Sequence, residues 1–207
     1  MRYFTKFILA TLSAATLLSA PAFAQIGFDS TVTSPLTQAV KIEIELSESM
    51  AHRANNLPKK ISMRSSGGRL NSGFSSNGFY GDKDLQQLQD RLASKLTKQF
   101  EKYGVETSDT SSTVLKVTLE DARNNRPTFE QLSREVGLSF QSFGNGGAEI
   151  NAQLVGPNSE DLGRMSYSFF ENDIRDARFG GTWSDANRAI DRFAKKSAKS
   201  LANPSNS

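Results

Sequence analysis

The sequence predicts an α+β fold of two layers, a mainly antiparallel four-stranded sheet with two long amphipathic helices packed on one face. Three observations carry this. Four segments alternate apolar and polar residues with a period of two. Two longer segments repeat apolar residues at helical spacing. Their order along the chain is strand, helix, strand, hairpin, helix, with no internal repeat.

The first strand runs from Val40 to Leu46, where Val40, Ile42, Ile44 and Leu46 share one face and Lys41, Glu43 and Glu45 the other. The first long helix begins at Asp82 or Asp84, either of which suits its start. Leu85, Leu88, Leu92, Leu96, Phe100 and Tyr103 then form one stripe, and Gly104 ends it. The second strand is Thr113–Glu120, with Leu115, Val117 and Leu119 inward. Thr128 and Gln131 have capping-box spacing, which predicts a short helix over about 129–136.

Ala148–Val155 alternates again, Gly156-Pro157-Asn158 makes a turn, and Gly163–Glu171 returns as the second arm of a hairpin. The last helix spans about Trp183–Leu201, with Thr182 and Asp185 at capping-box spacing. Trp183, Ala186, Ile190, Phe193, Ala194, Ser197 and Leu201 form its apolar stripe. Arg192, Lys195, Lys196 and Lys199 lie toward its C-terminal end, where cations oppose the helix dipole.

Outside these elements the chain reads as connection. Residues 25–38 are a Ser/Thr-rich flexible leader, 64–82 a long Gly/Ser/Asn loop and 121–146 largely irregular. The single domain is 39–202, and 203–207 is a disordered tail.

The N-terminus has its own logic. Arg2 and Lys6 precede an apolar run, Phe7–Leu18, followed by Pro21 and the small-residue pattern Ala22-Phe23-Ala24. That order is a secretory signal peptide, residues 1–24, cleaved after Ala24. The run is shorter than the roughly 20 residues of a membrane-spanning helix. The expected destination is the periplasm.

Cleavage leaves 183 residues, enough for one domain with a core that holds by packing. The chain has no cysteine, so disulfides, thiol chemistry and attachment through a lipidated cysteine are excluded. Loss of Arg2 and Lys6 lowers the net charge from +3 to +1. So weak a field argues against nucleic acid as a partner.

Candidate chemistry is sparse. His52 is the sole histidine and has neither nucleophile nor orienting partner near it in sequence, so a surface or packing role is the plainer reading. With one His and no Cys a zinc site lacks ligands, and no metal or other cofactor is expected. Gly144-Asn145-Gly146-Gly147 precedes a strand and lacks the Lys and Ser/Thr of a phosphate loop. Asp173 and Asp176 are the nearest carboxylate pair, but Arg175 and Arg178 beside them point to surface ion pairing.

The most suggestive segment is Glu120–Thr128. Arg123 and Arg126, with Asn124 and Asn125 between them, either present guanidinium forks to an anionic group or pair with Glu120 and Asp121. Trp183, after Gly180-Gly181, is either a binding aromatic or a core anchor. The candidate ligand- or partner-binding residues are therefore Arg123, Asn124, Asn125, Arg126, Arg175 and Trp183. Membrane contact is at most peripheral, through the basic end of the last helix.

The segments LKVTLEDARNNRP (115–127), GGAEINAQLVG (146–156) and TWSDANRAIDRFAKK (182–196) give the chain a further likeness. Together they resemble the uncharacterised exported proteins and lipoproteins of Gram-negative envelopes that carry a small α+β domain of unknown function. The resemblance implies a periplasmic home and brings no active site with it. The expected function is a non-catalytic periplasmic accessory or binding protein whose partner is an envelope protein or glycan. The alternative is a carboxylate-dependent hydrolase of envelope polysaccharide, which needs two carboxyl groups about 5–9.5 Å apart in a cleft.

Overall fold

The computed structural model describes residues 27–57, 74–177 and 180–204. The proposed leader 1–24 and its cleavage site, residues 58–73, which include the first part of the 64–82 loop, and residues 178–179 and 205–207 lie outside the described residues.

The sheet has five strands where the sequence pattern predicts four, and it is mixed. The strands β1 (Gly27–Ser30), β2 (Lys41–Leu46), β3 (Val114–Arg123), β4 (Gly147–Val155) and β5 (Asp161–Phe170) lie in the order β1-β5-β4-β3-β2. All neighbours are antiparallel except β2 and β3, which run parallel from Lys41↔Val114 to Leu46↔Leu119. A parallel pair needs a long crossover. Here α1 (Glu48–Asn55) and α2 (Asp82–Tyr103) make it. The additional strand, β1, lies in the segment read as a leader. It pairs with β5 from Gly27↔Ser168 to Ser30↔Met165, and the Phe28 ring sits 6.5 Å from that of Phe193.

The remaining helices are α3 (Phe129–Arg134), a single turn α4 (Ile174–Ala177), and α5 (Ser184–Ala202). The two long helices cover one face of the sheet. Both stripes are buried as their spacing requires: Leu85, Leu88, Leu92, Leu96 and Phe100 from α2, and Ala186, Ile190, Phe193, Ala194, Ser197 and Leu201 from α5. They pack on Leu115, Val117, Leu119, Ile150, Leu154, Met165 and Tyr167 of the sheet. The small residues Ala189, Ala194 and Ala198 let the α5 backbone come close to its neighbours.

Trp183 Nε1 donates to Asp84 Oδ1 at 2.7 Å, and Arg91 donates to both Asp191 oxygens at 3.0 Å. Matching turns of α2 and α5 are thus joined in step, so the helices run in the same direction.

The helix ends differ in part from the sequence reading. Thr128 and Gln131 form the expected capping box, and Gly104 closes α2 at φ 76°. At the start of α2, however, Gly81 is the N-cap, and neither Asp82 nor Asp84 caps it. Both sit in the first turn, where negative charge opposes the dipole. At α5 the Thr182/Asp185 box does not form. Trp183 is the N-cap without a side-chain bond, and Asn125 supplies the missing acceptor from across the fold.

Candidate functional site

The outward face of the sheet is built by strand alternation. Residues between the buried ones on β3, β4 and β5 point away from the helices, which brings Lys116, Thr118, Asn151, Gln153, Arg164 and Ser166 to one surface. With Asp29 from β1 and Glu45 from β2 they line a shallow groove of about 770 Å³. Thr118 Oγ1 donates to Glu45 Oε1 at 3.1 Å, and Asn151 Nδ2 donates to Glu120 Oε1 at 3.1 Å. The groove therefore offers hydrogen-bond donors and acceptors together with charges of both signs.

One end of this face is reorganised by a β-bulge. The register passes from Leu119↔Ile150 to Asp121↔Glu149, so Glu120 is an extra residue and the inward phase moves to Ala122. Without the slip Asp121 would point into the core. With it, the carboxyls of Glu120, Asp121 and Glu149 come together at this end of the sheet. Asp121 is held at 2.5 Å by Arg53, a buried residue of α1, and at 3.4 Å by Arg123. Partial burial raises the Glu149 carboxyl above its ordinary value, and the neighbouring Asp121 and Glu120 charges add to this. Tyr80, fully buried beside Arg53, has its phenol raised for the same first reason, burial.

The sequence-derived candidates fall into two groups. Arg123 and Arg175 face solvent. The Arg123 guanidinium lies 4.4 Å from the Phe170 ring, and Arg175 forks onto Asp173, holding that carboxyl well below its ordinary value. Arg126 donates to the carbonyls of Gln141 (2.9 Å) and Gly180 (3.3 Å), which ties two loops together.

Asn124, Asn125 and Trp183 lie inside. Asn124 donates to Gln131 Oε1 at 2.6 Å, and Gln131 in turn donates to the carbonyls of Phe74 and Gly78. Asn125 is bonded to Asp185 and Gly144. Trp183 stacks edge-on against Tyr80, with ring centroids 5.4 Å apart. These three side chains hold the loops under the sheet end and present no surface to a ligand in this conformation. His52 lies on α1, half-buried.

Sequence reasoning missed Arg53, Tyr80, Glu149 and the groove residues of β3–β5 as a site. One signal was present. The apolar rhythm Leu115, Val117, Leu119 resumes at Ala122, one residue out of phase, and that slip marks the bulge. The structure also exposes Phe129, Val136 and Phe140 around α3, with the two rings 5.8 Å apart.

No family model matches the chain. No curated protein matches it either. Among solved structures it is similar to a PelC dodecamer from Paraburkholderia phytofirmans, at 9% identity over 85% of this chain and 96% of that one, with a TM-score of 0.44. It is also similar to a minor lipoprotein from Acinetobacter baumannii, at 10% identity over 80% of this chain and 94% of that one, with a TM-score of 0.33. No helix among the described residues is long and apolar enough to cross a membrane.

Proposed function

We propose that this chain is an exported, non-catalytic accessory protein of the bacterial cell envelope that binds a protein or glycan partner on the outward face of its sheet. The compartment rests on the three-part leader of residues 1–24. One observation carries the binding role. The central strands β3–β5 leave a polar, mixed-charge groove of about 770 Å³ uncovered, while the opposite face is filled by α2 and α5. An antiparallel sheet commonly turns one face to water. This one is further shaped by the bulge and floored by Asn151 and Gln153, amides that serve as both donor and acceptor to a peptide or sugar hydroxyl. The test is binding of envelope glycans and proteins by wild type and by the pair Asn151→Ala, Gln153→Ala. Loss of one specific interaction in the pair, with folding unchanged, supports the reading; equal binding contradicts it.

A second reading, the carboxylate-dependent hydrolase, draws on the cross-strand pair Asp121↔Glu149 and the raised Glu149 carboxyl, an arrangement suited to a general acid. Against it, Arg53 and Arg123 both engage Asp121. Release of reducing ends from envelope polysaccharide that disappears with Glu149→Gln would favour the hydrolase. No release by wild type would remove it.

A further inference from the structure

We infer that the outer face of the α2/α5 pair docks on an anionic phospholipid bilayer. This rests on the exported setting proposed above and concerns the layer opposite the groove.

The two helices carry the same basic pattern. Arg91, Lys95, Lys98 and Lys102 recur on α2 at offsets 0, 4, 7 and 11, and Arg188, Arg192, Lys195 and Lys199 repeat those offsets on α5. At a rise of about 1.5 Å per residue each stripe is roughly 16 Å long. The helices run in step and in the same direction, so the stripes lie side by side. Between them is a groove of about 490 Å³ lined by Arg91, Arg188, Arg192, Lys195 and Asp191.

Acids offset part of this array, and the exposed Asp90 and Glu101 add two negative charges to α2 itself. Asp191 takes up Arg91 at 3.0 Å and Lys95 at 3.3 Å, and Arg188 lies 3.4 Å from both Glu171 and Asp185. Among the described residues Lys98, Lys102, Arg192, Lys195 and Lys199 form no ion pair. The processed chain is close to neutral overall, and the sheet side carries both signs, with Glu45, Glu120 and Glu149 beside Lys116, Arg123 and Arg164, so the one-signed stripes are particular to the helix side.

A charged helix face is ordinarily just solvated. Two in-step stripes of one sign ask for a ligand with charge repeated across a plane. A single small anion would engage only the groove and leave Lys98, Lys102 and Lys199 unused, whereas a layer of lipid phosphates meets all of them. Neither helix has a large exposed apolar side chain among the described residues, so contact is with headgroups and without insertion. Docked this way, the protein turns its sheet groove away from the membrane.

The test is sedimentation of the processed protein, recovered after export, with phosphatidylcholine vesicles that contain or lack phosphatidylglycerol, at low and high salt. The probe variant is the exposed set Lys98→Gln, Lys102→Gln, Lys195→Gln, Lys199→Gln, with its fold checked by circular dichroism. Binding is expected only with the anionic vesicles, lost at high salt, and weakened at least about tenfold in the variant. The pair Asn151→Ala, Gln153→Ala should sediment like wild type, which separates this surface from the sheet groove. The inference is overturned by equal binding to neutral vesicles, by undiminished binding of the four-lysine variant, or by loss confined to Phe129→Ser with Phe140→Ser.

Discussion

Asn125 and Asp185, sixty residues apart, are joined twice: the Asn125 amide donates to the Asp185 carboxylate at 2.5 Å, and its carbonyl accepts from the Asp185 backbone N–H at 2.9 Å. The loop after the bulge thereby caps the last helix. Asn125→Ala removes the cap and strands a carboxylate that is 3% exposed, leaving it the Arg188 ion pair at 3.4 Å. The expected cost is about 2–4 kcal/mol in urea unfolding. Asn125→Asp should cost at least as much, because it faces one buried carboxylate with another.

Glycine substitutions should divide sharply. Gly147 has φ 155°, and a Cβ there would collide with the Phe169 carbonyl and the Phe170 backbone. Gly147→Ala is expected to destabilise by about 2 kcal/mol or more. At Gly156 the atoms nearest the added Cβ are the far end of the Glu160 side chain, which can swing aside at the loss of its bond from Asn158 N–H, so Gly156→Ala should stay within about 1 kcal/mol of wild type in the same unfolding assay.

Glu149 sets a pH dependence. Its carboxyl is raised in the fold, so the native state holds that proton more tightly than the unfolded chain does. Its stabilising effect is complete below the ordinary value of 4.5 and is lost as pH rises through the folded value. Glu149→Gln should therefore raise Tm at neutral pH by a small amount, about 1–2 °C given its partial exposure. The gain should vanish in melts below pH 4.5.

Export has a sharp signature. The protein recovered from the periplasm should begin at Gln25 by N-terminal sequencing. A product that still begins at Met1 would contradict the compartment.

The long elements were legible because their periods repeat often enough to stand out: the α2 and α5 stripes and the β4–β5 hairpin lie where the alternation puts them. β1 was not, because four residues with Phe28 as the single large apolar side chain display no period. α1 was missed because its inward side includes Arg53, a charge whose partner Asp121 is distant in sequence. The polar pair Asn124-Asn125 read as surface, yet both residues are buried, since their amides satisfy backbone and side-chain groups brought together only by the fold. The groove was legible only as the polar half of each strand; its continuity needs the sheet order.

The measurement that bears most directly on the proposed role is photo-crosslinking inside the intact envelope, with the reactive group placed at Gln153 on the groove floor and, as control, at the exposed turn residue Thr110. A discrete adduct at Gln153 that is missing at Thr110 is the expected result. No adduct at Gln153, or the same products from both positions, would contradict a partner seated on the sheet.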